Sequence, residues 1–114
     1  MAAGYTELFL EQGTTFQSSI TLDGVSGEPY DLTGFIAKSQ IKKSYYSTTP
    51  TAEFEVTINQ PPTSGIIVLN LTAAQTANIA PGRYVYDVLI RDNPGTVTRV
   101  LEGLVNVSPR VTIL

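Results

Sequence analysis

Arg83-Tyr84-Val85-Tyr86-Asp87-Val88-Leu89-Ile90-Arg91, followed by Asp92-Asn93-Pro94-Gly95 and then by Thr96 through Val107, is the stretch that decides the fold. Tyr84, Tyr86, Val88 and Ile90 fall at every second position and so share one face of an extended strand. The Asn-Pro-Gly turn reverses the chain, and the next run is extended as well, which makes a hairpin. In the simplest register Leu101, Gly103, Val105 and Val107 face inward with the tyrosines. A long hairpin with one apolar face needs a second layer to cover it.

Outward from this hairpin the same code recurs. Turn signals stand every eight to twelve residues, at Gln12-Gly13, Asp23-Gly24, Gly27-Glu28-Pro29, Thr33-Gly34, Pro61-Pro62 and Pro81-Gly82. That spacing is typical of sandwiches and barrels. Between the turns, Phe16, Ser18, Ile20 and Leu22 share a face, as do Phe35, Ala37, Ser39 and Ile41, with Ile36, Lys38, Gln40 and Lys42 opposite. Ala52, Phe54, Val56 and Ile58 alternate with Glu53, Glu55, Thr57 and Asn59, the pattern of a strand with one wet face. Ile67, Leu69 and Leu71 form another strand, and Thr72 with Gln75 has the spacing of a capping box, which predicts a single helical turn over Thr72–Ala77. With Leu8 and Leu10 added, the expectation is an all-β fold: an immunoglobulin-like antiparallel sandwich of about seven strands and one short helical turn, formed by residues 1–114 as a single domain.

Composition agrees with such a fold and excludes several function classes. Forty-two per cent hydrophobic and 15% charged residues are incompatible with disorder. A chain of 114 residues buries roughly 65% of its unfolded surface, enough for one modest core. The net charge is −3, and the seven basic residues are dispersed, with only Lys42 and Lys43 adjacent, so no nucleic-acid footprint is expected. The start, Met1–Gln12, lacks a basic region and carries Glu7 and Glu11, unlike a signal peptide. No run approaches the ~18 apolar residues of a membrane span, so a soluble chain without membrane partner is expected.

The sequence has no cysteine and no histidine. Disulfides, thiolate metal sites and histidine-based acid–base chemistry are therefore excluded. The remaining candidates for chemistry have simpler readings. Asp23, Glu28 and Asp31 sit in a Gly/Pro-bearing loop with the oxygen ligands calcium favours, but without EF-hand spacing; the alternative is a solvated loop in which Asp31 caps its own turn. Glu53 and Glu55 share a strand face but have no apolar pocket to separate their pKa values, so they read as a solvated face. The expectation is a chain that is not an enzyme and carries no cofactor or metal.

Two features point to contact with partners. Tyr45 and Tyr46 lie between Lys42-Lys43-Ser44 and Ser47-Thr48-Thr49-Pro50, an aromatic pair on a polar loop that suits a protein anchor or a sugar platform, or else packs over the end of the sandwich. The strand Leu104-Val105-Asn106-Val107 and the apolar segment Val111-Thr112-Ile113-Leu114 read as edges that a neighbour would cover, with Leu104, Asn106, Val111, Ile113 and Leu114 as contacts. Tyr84 and Tyr86, after the bend Ile79-Ala80-Pro81-Gly82, have the arrangement of a tyrosine corner, a structural role.

Asp31-Leu32-Thr33-Gly34-Phe35 with Lys38–Lys42, Leu71–Thr76 followed by Pro81–Asp87, and Thr96–Gly103 followed by Val105–Pro109 resemble small structural proteins of tailed bacteriophages. The chain looks like a short virion protein of the T4-like myoviruses that infect cyanobacteria, and it is similar to the N-terminal domains of some phage baseplate upper proteins, from about Leu8 to Thr112. The resemblance implies a virion component at the baseplate, tail, neck or head surface, docked to other phage structural proteins in a homo-oligomer or hetero-assembly, and it implies no catalytic residues. The alternative is a host-surface glycan-binding or capsid-decoration module, for which this chain, without tryptophan, is poorly supplied with aromatics.

Overall fold

Every alternating stretch of the sequence becomes a strand in the computed structural model, which describes residues 4–24 and 27–114. Met1–Ala3 of the start and Val25–Ser26 of the acidic loop lie outside the described residues. The elements are β1 (Gly4–Tyr5), β2 (Leu8–Glu11), β3 (Phe16–Thr21), β4 (Ile36–Lys42), β5 (Ala52–Ile58), a 3-10 turn (Pro62–Ser64), β6 (Ile66–Leu71), α1 (Ala73–Ala77), β7 (Gly82–Arg91) and β8 (Val97–Ser108). The fold is all-β, a curled mixed sheet in the order β1-β8-β7-β4-β5-β6-β3, with β2 also beside β8.

The curl comes from β5. Its first half, Ala52–Phe54, pairs with β4, and its second half, Glu55–Ile58, pairs with β6, so one strand turns the corner between two halves of the sheet. The halves close over a core that includes Leu10, Ile41, Leu69, Val88 and Val105, each buried to 1% exposure or less. Aromatic rings tie them together. Phe54 of the corner strand packs against Phe16 of β3 at 5.8 Å and edge-on against Tyr86 of β7 at 6.1 Å.

The inward faces read from the sequence are the buried ones on β7, where Tyr84, Tyr86, Val88 and Ile90 all lie in the core. The hairpin register breaks between Val88 and Leu89, where Leu101 and Arg99 are their partners, so Val100 has no partner of its own and both Val100 and Leu101 are buried. Such a bulge bends the strand without losing the inward pattern on either side.

Two expectations need correction. The sheet is mixed rather than antiparallel, because β1 and β2 run parallel to β8. For the same reason Leu104–Val107 is not an edge. It is hydrogen-bonded to β7 on one side and to Leu8–Glu11 on the other, where Leu8 pairs with Val105 and Phe9 with Asn106. The alternation of Leu8 and Leu10 marked a buried face but could not name its partner, almost a hundred residues away. Among the described residues, the strands with one free side are β3 and the pair β1 and β2. The exposed side chains of β3, Gln17, Ser19 and Thr21, are polar, which suits an edge that stays unpaired.

The break between β1 and β2 has a specific cause. The Thr6 amide donates to the Glu102 carbonyl (3.0 Å), and the Thr6 carbonyl turns inward over Gly103 and accepts the Tyr86 hydroxyl (2.8 Å). A Cβ on Gly103 would fall on the Thr6 carbonyl oxygen. Glycine is therefore required by close approach of two backbones. Gly103→Ala is expected to cost at least about 2 kcal/mol, the scale of overpacking a filled site. Gly4→Ala, whose methyl meets nothing nearer than 3.4 Å, is the control. Thermal unfolding of the two variants tests this, and a Gly103→Ala protein as stable as the parent contradicts it.

Candidate functional site

Strand polarity sorts the loops into two ends. The ends of β2, β4 and β8 and the starts of β3, β5 and β7 lie together, so residues 12–15, 43–51, 72–81 and 109–114 form one end of the sheet. Residues 22–35, 59–65 and 92–96 form the other.

The first end is built rigidly. Thr72 caps α1 through a reciprocal box, its hydroxyl accepting from the Gln75 amide (3.1 Å) while the Gln75 side chain accepts from the Thr72 amide (2.8 Å). The buried Thr76 hydroxyl donates to the Thr14 carbonyl (2.7 Å), joining the helix to the 12–15 turn. The Tyr84 hydroxyl donates to the Ala80 carbonyl (2.6 Å), four residues upstream, which is the tyrosine-corner bond. Lys43 lies over the same tyrosine ring, its Nζ 4.8 Å from the centroid.

On this frame stands the aromatic pair. The Ser47 amide donates to the Ser44 carbonyl (3.1 Å), and the Ser44 hydroxyl accepts from the Tyr46 amide (3.3 Å), so Tyr45 and Tyr46 are the two central residues of a tight turn. A turn this short holds both rings away from the core, and Tyr46 is 94% exposed. The segment Pro109–Leu114 leaves β8 at the same end. Gln12 anchors its start, accepting from the Arg110 amide (3.4 Å) and donating to the Ile79 carbonyl (3.2 Å). Beyond this anchor Val111, Ile113 and Leu114 are exposed, Val111 fully so. The structure thus brings Tyr45 and Tyr46 to the same end as Val111, Ile113 and Leu114. Exposed aromatic and apolar side chains gathered with an arginine at one end are of the kinds enriched at protein contacts.

Leu104 and Asn106 lie elsewhere, half-buried on the outer face of the sheet. Leu104 stands opposite Val85, and Asn106 stands between Arg83 and Phe9 and donates to the Glu7 carboxylate. This face holds what sequence reasoning missed. Phe9 is exposed on it, and a shallow depression of about 290 Å³ is lined by Gln40, Lys42, Tyr45, Val85, Asp87 and Arg99 among others. Val85 and Leu89 were the available signal, apolar residues on the side of β7 that faces away from the core. The charges here pair among themselves: Arg99 reaches Asp87 (3.4 Å) and Glu102 (3.8 Å), and Lys38 reaches Glu53 (3.8 Å). Exposed pairs of this kind contribute at most about 1 kcal/mol each.

In the acidic loop, Asp31 accepts from both the hydroxyl (2.6 Å) and the amide (3.0 Å) of Thr33, and these bonds hold its carboxyl below the usual range. Asp31 therefore caps its own turn. Among the described residues no three acidic side chains converge as metal ligands. Glu53 and Glu55 point to solvent. No helix among the described residues is long and apolar enough to cross a membrane. Comparison with protein-family models and with curated proteins finds no match to this sequence.

Burial pushes the Tyr86 hydroxyl up to about 12, with Tyr5 nearby adding to the rise. The folded chain then holds this proton after an unfolded tyrosine has lost its own near 10, so stability falls as pH rises from about 10 to about 12. Tyr86→Phe is expected to flatten that decline and to remove the last tyrosinate step from the ultraviolet titration. A titration identical in parent and variant contradicts this placement of Tyr86.

Proposed function

We propose that this chain is an immunoglobulin-like docking module of a tailed-bacteriophage particle, holding structural subunits together at the baseplate, tail, neck or head surface rather than performing chemistry. The observation that carries this reading is the end of the sheet on which Tyr45, Tyr46, Val111, Ile113 and Leu114 stand exposed over a hydrogen-bonded frame. Preorganised aromatics lose little entropy on binding, so a rigid display of this kind favours association.

The immunoglobulin-like part of the reading is supported by strand order. The first strands run beside the last, the last pairs with β7, β7 with β4, and β6 with β3, while β5 passes from one half to the other and a tyrosine corner follows α1. The resemblance of Leu8–Thr112 to phage virion proteins supplies the biological setting. A second reading, a glycan site, has one observation in its favour: Tyr45 borders a depression with Gln40, Asp87 and Arg99 as polar partners for hydroxyls.

Mass spectrometry of purified particles of the phage that encodes this chain is expected to find it at a fixed copy number relative to other structural subunits. Its absence from intact particles contradicts the docking reading. Binding of the parent chain to a glycan array, abolished in the Tyr45→Ala, Tyr46→Ala double variant, would instead favour the second reading.

A further inference from the structure

The loops at the two ends differ in charge. Residues 22–35, 59–65 and 92–96 contain Asp23, Glu28, Asp31 and Asp92 and no Lys or Arg. Residues 12–15, 43–51, 72–81 and 109–114 contain Lys43 and Arg110 and no Asp or Glu. Including the two residues at each strand end adds Lys42, Arg83, Glu11 and Glu53 to the basic end and Arg91 to the acidic one. One end therefore carries four cationic side chains against two carboxylates, and the other four carboxylates against one cation.

The ends lie far apart. β8 is twelve residues long, roughly 36 Å of extended chain, and of the molecular extents of 45 × 30 × 22 Å only the longest accommodates it. The ends are thus separated by several screening lengths of about 8 Å, and each presents its own potential. From this geometry we infer that copies of this chain dock end to end, the basic end of one seated on the acidic end of the next. This rests on the docking-module reading and names its partner as a second copy.

Charge decides the polarity. A two-fold dimer through these ends would face four cations with four cations, or four carboxylates with four carboxylates, whereas head-to-tail contact pairs opposites. The apolar parts also match. The basic end exposes Tyr46, Val111, Ile113 and Leu114, and the acidic end exposes Val97 and holds a cleft lined by uncharged residues, where β4 and β5 part beyond the Ser39–Phe54 pair and leave Phe35, Ala37, Val56 and Ile58 partly open. The Val111–Leu114 segment of one copy faces that cleft of the next. Each end face is at most about 660 Å² from the two shorter extents, so a contact buries at most about 1,300 Å² in total, the low end of a specific interface. Association is then concentration-dependent, and because the two surfaces differ, it closes as a ring or continues as a filament.

Sedimentation velocity on the 114-residue chain tests this from about 1 μM to about 1 mM. The salt is varied from about 10 mM to about 1 M, over which the screening length falls from about 30 to about 3 Å. The expected result is oligomers that grow with concentration at low salt and dissociate at high salt. Arg83→Glu with Arg110→Glu, and separately Asp23→Lys with Glu28→Lys, each weaken self-association at least tenfold while circular dichroism keeps the parent's β spectrum. Mixing the two double variants restores association, since each then supplies an end complementary to the other. A folded parent that stays monomeric at 1 mM and low salt overturns the inference, as does association that neither reversal weakens. If such a monomer is nonetheless found at fixed copy number in particles, end-to-end docking fails while the docking-module reading stands.

Discussion

The passage of the Thr6 carbonyl over Gly103 is the constraint on which the rest of the arrangement depends. Only a residue without a side chain lets the two backbones approach this closely, and the Tyr86 hydroxyl supplies the hydrogen bond that a carbonyl turned into the core requires. The crossing divides the first strand in two and delivers Leu8–Glu11 alongside β8. With that flank covered, β8 is interior, Val105 is fully buried, and the outer face of the sheet gains Phe9. A side chain at position 103 would lift the first strand away and leave Leu8 and Leu10 without a core to fill.

Covering β8 changes where partners can act. A backbone edge at Leu104–Val107 would have invited strand addition. In the proposed reading the groups that make contact are instead those at the ends, where short turns hold side chains outward. The Ser44–Ser47 turn and the Gln12 anchor do this for Tyr46 and Val111, and Asp31 and Asp92 cap the opposing loops, the latter by accepting from the Gly95 and Thr96 amides. The same capping side chains place negative charge at the end where no cation occupies a loop. Fold and electrostatics thus have a common origin in turn chemistry: carboxylates close the turns of one end, while serine, threonine and glutamine close those of the other.

Much of this was legible in the sequence wherever the signal is local. Alternation assigned the inward faces of β5, β7 and β8, Thr72 with Gln75 announced a capped helical turn, and the bend before Tyr84 announced the tyrosine-corner bond. What the sequence could not carry was pairing at a distance. The pattern of Leu8 and Leu10 is the same whether their strand runs parallel or antiparallel to its neighbour, and the parallel pairing with β8 shows only in the structure. The proposed contact residues were legible as exposed aromatics and apolar side chains, but their grouping was not, since Tyr46 and Val111 are far apart in the chain. Charge segregation was hidden for the same reason: Lys43 and Arg110 look dispersed until strand polarity places them together.

That β8 is an interior strand, with both flanks paired, is the claim from which the placement of the proposed docking surface follows. Amide hydrogen exchange of the 114-residue chain, resolved residue by residue, tests it most directly. An interior strand has every backbone amide hydrogen-bonded, whereas an edge strand leaves every second one to solvent. The account predicts slow exchange at each of Leu104, Val105, Asn106 and Val107, comparable to Val85–Val88 of β7. Fast exchange at alternate residues of that run would show β8 to be an edge and contradict it.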